Sequence, residues 1–114
     1  MFSTIKLINE VKKSIKKDTI YSLAKVIGAD RNTVRYWLKG GVISDKYALR
    51  CAEITGLDKD YVLYSVNLER AQKSQENCLI SYWQSKLDKI KPSLAASACV
   101  LWAIGELLQQ NPLI

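Results

Sequence analysis

Residues 22–41, SLAKVIGADRNTVRYWLKGG, restrict what this chain can fold into more than any other stretch. Apolar residues recur at helical spacing on both sides of Gly28, so the stretch reads as two short helices joined at a glycine. Ala24 is small where one helix must cross closely over another. Gly28 permits the positive φ that a tight inter-helix turn requires. Leu23, Ile27, Ala29, Val34, Trp37 and Leu38 supply the apolar side of the pair. Arg31, Asn32, Thr33, Arg35, Tyr36 and Lys39 are left for the outside.

Helical periodicity continues on either side of this pair, and strand signals are weak throughout. Ile5, Ile8, Val11 and Ile15 make an apolar stripe for a first helix that ends before Asp18. A second runs from Thr19 to Gly28. A third follows the N-cap Asp30 and closes at Gly40-Gly41. Ser44 caps a fourth helix that stops at Gly56, and Asp58 caps a fifth, KDYVLYSVNLERAQK. These five helices, with short connections, predict one compact all-α bundle over residues 1–73. SQENCLISYWQSKLDKIK reads as a sixth helix, with Leu79, Ile80, Trp83, Leu87 and Ile90 on one side, broken or kinked at Pro92.

Charge separates the two ends of the chain. Residues 1–40 hold nine Lys or Arg against three Asp or Glu, whereas residues 74–114 hold three of each. The densest run, KKSIKK at 12–17, suits an anionic partner, although lysines at a helix C-terminus also complement its dipole. Cys51, Cys78 and Cys99 show no paired spacing and read as small apolar residues in a reducing cytoplasm. The first residues carry no apolar run of signal-peptide length.

LAKVIGADRNTVRYWLKGG, followed by SDKYALRCAEITGL, resembles the Cro/CI-type helix-turn-helix of phage repressors. The Leu-Ala start, the Gly turn, the Val and Trp of the second helix and the AEITGL helix end carry the likeness. The chain also resembles small regulators encoded by filamentous phages, in which such a domain precedes a short helical tail. The resemblance implies a recognition helix over residues 30–39, lying in the major groove of double-stranded DNA. It sets Arg31, Asn32, Arg35 and Lys39 against base edges, where Arg pairs with guanine O6 and N7 and Asn with adenine N6 and N7. Lys17, Tyr21, Ser22, Lys25, Thr33 and Tyr36 become contacts to the DNA backbone, which hold register without reading sequence. Trp37 aligns with the apolar positions, which assigns it to the core rather than to base stacking.

Catalysis finds little support. The absence of histidine removes imidazole acid–base chemistry and His-based triads. Ser14/Lys17 and Ser22/Lys25 have serine–lysine spacing, but no companion motif accompanies them. No enzyme activity, metal or cofactor is expected.

Residues 92–105 carry no charge, yet Glu106 interrupts before the length of about 20 residues that a membrane span needs. A helix apolar on every side must be covered from several directions. Residues 74–114 are therefore expected to form a C-terminal helical dimerisation segment, with Leu79, Trp83, Leu87, Leu94, Leu101, Trp102 and Leu108 as contacts. The combined expectation is a homodimeric, cytoplasmic, DNA-binding transcriptional regulator with no membrane partner. Two other readings start from the same residues: an antitoxin- or adaptor-like protein-interaction module, and a membrane-associated regulator tethered by its C-terminal segment.

Overall fold

In a computed structural model, residues 1–90 are described, and they form six α-helices and no strand. These are α1 (Thr4–Ile15), α2 (Ile20–Ile27), α3 (Arg31–Leu38), α4 (Asp45–Thr55), α5 (Lys59–Ser74) and α6 (Asn77–Asp88). The expected break at Pro92, Cys99 and the dimer contacts Leu94, Leu101, Trp102 and Leu108 lie outside the described residues.

Local chemistry explains most helix ends. Thr19, Asp30 and Asp58 each accept a hydrogen bond from the backbone N–H three residues on, at 3.1, 2.7 and 2.8 Å. Ser44 occupies the N-cap of α4 without making a side-chain cap bond. Gly28 ends α2 at φ +83°, its N–H donating to the Ala24 carbonyl at 2.9 Å. A Cβ at this glycine would meet nothing within 4 Å, so its conformation, not its size, is what the turn requires.

The core is built from Leu7, Ile8 and Val11 of α1, Leu23 and Ile27 of α2, and Val34 and Trp37 of α3, closed by Cys51, Val62 and Val66. Trp37 is buried and meets Tyr47 edge-on, with ring centroids 5.4 Å apart at 62°. Two of the expected apolar positions face outward instead. Ile5 is 40% exposed, because α1 turns Thr4, Leu7, Ile8 and Val11 inward. Leu38 is 37% exposed, since its neighbour Trp37 takes the interior place on the last turn of α3.

Thr4 is held in the interior by polar partners. Its hydroxyl donates to Glu69 Oε1 at 2.6 Å and accepts from the Ile43 N–H at 3.1 Å. Two further side chains of α5 hold the same loop. Arg70 donates to the Ile43 carbonyl at 2.9 Å and pairs with Asp45 at 3.3 Å, while Lys73 donates to the Gly40 carbonyl. The connection that follows α3 is thus tied to α5 directly at Gly40 and Ile43, and indirectly through Thr4.

α6 folds back along α5 after a turn at Gln75, which has a positive φ of 56°. Trp83 lies against Tyr64, with ring centroids 5.8 Å apart, and Leu87 is buried, whereas Leu79 and Tyr82 are exposed. Leu87 therefore packs within the protomer, and Leu79 is the expected dimer contact that faces outward. Cys51 is buried, and burial pushes its thiol up to about 12. Cys78, read from sequence as a small apolar residue, is exposed on the outer side of α6. No helix among the described residues is long and apolar enough to cross a membrane.

Candidate nucleic-acid interface

α2 and α3 pack against each other across the Gly28 turn, and α3 presents its outer side to solvent. Arg31, Asn32, Arg35, Tyr36 and Lys39 are exposed, and Thr33 is half-buried. Burial of Val34 and Trp37 sets this division, because anchoring those two side chains leaves the opposite arc of an eight-residue helix open. α3 contains no carboxylate. Its N-cap Asp30 is held below its ordinary value of 3.8, first by the backbone hydrogen bond from Thr33 and then by the Thr33 side chain.

That depression fixes a sign. A carboxylate with a lowered folded value stabilises the native state above the unfolded value and loses the contribution as pH falls through the folded one. Asp30→Ala should therefore lower the thermal midpoint at pH 7, and the gap from the unmodified chain should narrow in acid. Thermal unfolding followed by circular dichroism at several pH values between 7 and 2.5 checks this. A gap that stays constant with pH would mean that the Asp30 charge contributes nothing.

Four of the expected backbone contacts converge. Lys17, Tyr21, Ser22 and Lys25 line one groove of about 520 Å³ together with Ile15, Val26 and Arg50. A neighbouring depression shares Tyr21 and Lys25 and continues to Ala29, Asp30 and Arg31, so the surface runs from α2 onto the start of α3. Thr33 and Tyr36 line neither. The Tyr36 ring lies against Gly41, where a Cβ would collide with it, and the Gly41 N–H donates to the Tyr36 carbonyl at 2.9 Å. Tyr36 thus packs over the turn that ends α3, with part of its ring still exposed.

Arg50 is the residue of this surface that sequence reasoning missed. Its Nε donates to the Val26 carbonyl at 3.2 Å, tying α4 to the end of α2, and its guanidinium also meets Glu53 at 3.4 Å. Nothing in the local pattern of α4 marks it, because the groove exists only once α4 packs on α2.

Pairing sorts the remaining cations. Lys12 meets Asp18 at 2.8 Å and Lys13 meets Glu10 at 3.2 Å, so half of KKSIKK is engaged within the protein. Among the described residues, Lys17, Lys25, Arg31 and Lys39 form no ion pair. Lys12, Lys13, Lys16 and Lys17 also share a shallow groove with Asn9 and Asp18, which extends the basic surface beyond α2. The described residues contain no group of acidic residues or cysteines able to hold a metal. Comparison of the chain with models of known families, with curated proteins and with solved structures finds no match to any of them.

Proposed function

We propose that this protein is a sequence-specific, double-stranded DNA-binding regulator of transcription, a repressor of the phage or prophage kind. The observation that carries the reading is the surface of α3. Arg31, Asn32 and Arg35 project from a helix that holds no carboxylate between its N-cap Asp30 and its C-cap Lys39, beside a groove holding Lys17, Lys25 and Arg50. Such side chains contribute little to the stability of a bundle, whereas an Arg- and Asn-bearing helix suits the donor and acceptor pattern of the major groove.

In this proposal α1–α5 form a Cro/CI-type domain, residues 74–114 join two copies, and α3 enters the major groove. The groove between α1, α2 and α4 sits on flanking phosphates and sets the register. Two copies present their α3 helices to half-sites about 34 Å apart on an inverted repeat, and occupancy obstructs polymerase without any cofactor.

Selection of bound duplexes from a random pool tests binding, symmetry and sequence together. Enrichment of an inverted repeat is the expected result, and failure to enrich any sequence at moderate salt would overturn the reading. Lys17→Ala should weaken binding to all duplexes alike and lower the slope of log affinity against log salt by about 0.9, one phosphate contact. Filter binding or fluorescence anisotropy across a salt series reads that slope. Leu79→Glu, placed on the exposed side of α6, should weaken dimerisation by about tenfold or more, since a buried unpaired charge is costly. Sedimentation equilibrium of the full chain measures it, and an unchanged dimer would remove Leu79 from the contact.

A further inference from the structure

Arg35 and Asn32 are one helical turn apart on the open face of α3, and they are bonded to each other. Arg35 Nη1 donates to Asn32 Oδ1 at 3.0 Å. Both side chains belong to exposed residues, and Arg35 forms no ion pair among the described residues. The contact gives this guanidinium a partner on its own helix.

Its chemistry separates the two side chains into different roles. A guanidinium has five N–H donors, and the bond to Asn32 uses one on Nη1. The Nε–Nη2 edge keeps its pair of donors whole, which is the fork that meets guanine O6 and N7. Asn32 stands differently. A two-bond contact with adenine needs its carbonyl to accept from the N6 amino group while its amide donates to N7. One of the two lone pairs of that oxygen already accepts from Arg35, so an adenine contact would have to share the carbonyl with the guanidinium.

We infer that Asn32 is a positioning residue: it orients Arg35 for a guanine rather than reading an adenine of its own. The inference rests on the proposed DNA-binding function and refines the assignment of Asn32 made from sequence. Arginine loses considerable rotamer freedom when it docks on a base edge, and a neighbour that restricts the side chain beforehand reduces that loss. Specificity at one base pair then belongs to the Asn32–Arg35 pair as a unit, and effects of changing either residue are coupled rather than additive.

The test is a selection from random duplexes with the full chain and with Asn32→Ala, Asn32→Asp, Arg35→Ala and the Asn32→Ala/Arg35→Ala double variant. Circular dichroism of each variant checks that the helices are retained, as expected for substitutions at exposed positions. Asn32→Ala should relax preference at the same base pair as Arg35→Ala, lowering it by about two- to fivefold, the range for an exposed charge-assisted pair. Asn32→Asp keeps the acceptor and should keep the guanine preference, even if its added charge weakens all duplexes alike. In the Arg35→Ala background, Asn32→Ala should change nothing further. Relaxation at a different base pair, loss of the preference in Asn32→Asp, or additive losses in the double variant would overturn the positioning role while leaving DNA recognition intact. A full chain that enriches no duplex would instead overturn the DNA-binding reading, and this inference with it.

Discussion

Trp37→Ala is expected to lower folding stability by about 3–5 kcal/mol, the usual range for removing a fully buried aromatic side chain. A domain of this size has about 5–15 kcal/mol in all, so the loss would remove between about a fifth and the whole of its stability. The reason is geometric. Trp37 is 1% exposed, packs edge-on against Tyr47 of α4, and anchors α3 together with Val34. Eight residues are too few to hold a helix without such packing. Urea unfolding of the two chains gives the difference directly. A folded Trp37→Ala chain with normal stability but impaired nucleic-acid binding would point the other way, to a stacking surface.

Arg35→Ala carries the second large effect, on binding and not on folding. Loss of about 1–3 kcal/mol of operator affinity is expected, together with relaxed base preference at a single position. The side chain is exposed and supports no core contact, so unfolding midpoints should scarcely move. Titration of the selected operator and of a random duplex separates two kinds of contact. A base-reading arginine loses more on the operator, whereas a phosphate-binding one loses equally on both. Equal losses would remove Arg35 from the base-reading set.

How far the sequence anticipates the molecule depends on the range of each interaction. Thr19, Asp30 and Asp58 are legible as N-caps because the bond each makes is three residues long. Gly28 and Gly56 are legible as helix ends for a similarly local reason. Lys16 and Gln75 adopt the same left-handed conformation without glycine, and no residue type announces it. A sixth helix read as beginning at Ser74 in fact starts beyond this break, at Asn77. Thr4 shows the limit most clearly. A threonine takes an inward position on α1 and Ile5 faces outward, because the partner of that threonine, Glu69, stands 65 residues away.

The same division runs through the candidate interface. Exposure of Arg31, Asn32, Arg35 and Lys39 follows from helical periodicity once Val34 and Trp37 are assigned to the interior. The convergence of Lys17, Tyr21, Ser22 and Lys25 also follows, since Lys17 comes just before α2 and the other three lie along α2 itself. Arg50 and the Arg35–Asn32 bond do not. One depends on how α4 packs, the other on a rotamer choice among several open to an exposed arginine.

The attachment of the α3–α4 loop to α5 has a mechanical consequence. Glu69, Arg70 and Lys73 grip Thr4, Ile43 and Gly40, and α6 lies along the same α5, so the end of α3 and the base of α6 share one stiff strut. In the proposed dimer, each copy would then present α3 like one jaw of a caliper, at a set distance from the base of its own α6. One base pair inserted between the operator halves shifts the second half-site by about 3.4 Å and turns it by about 34°. Joined by a seam as stiff as this strut, the proposed dimer could not follow that displacement, and spacing would be read as strictly as sequence.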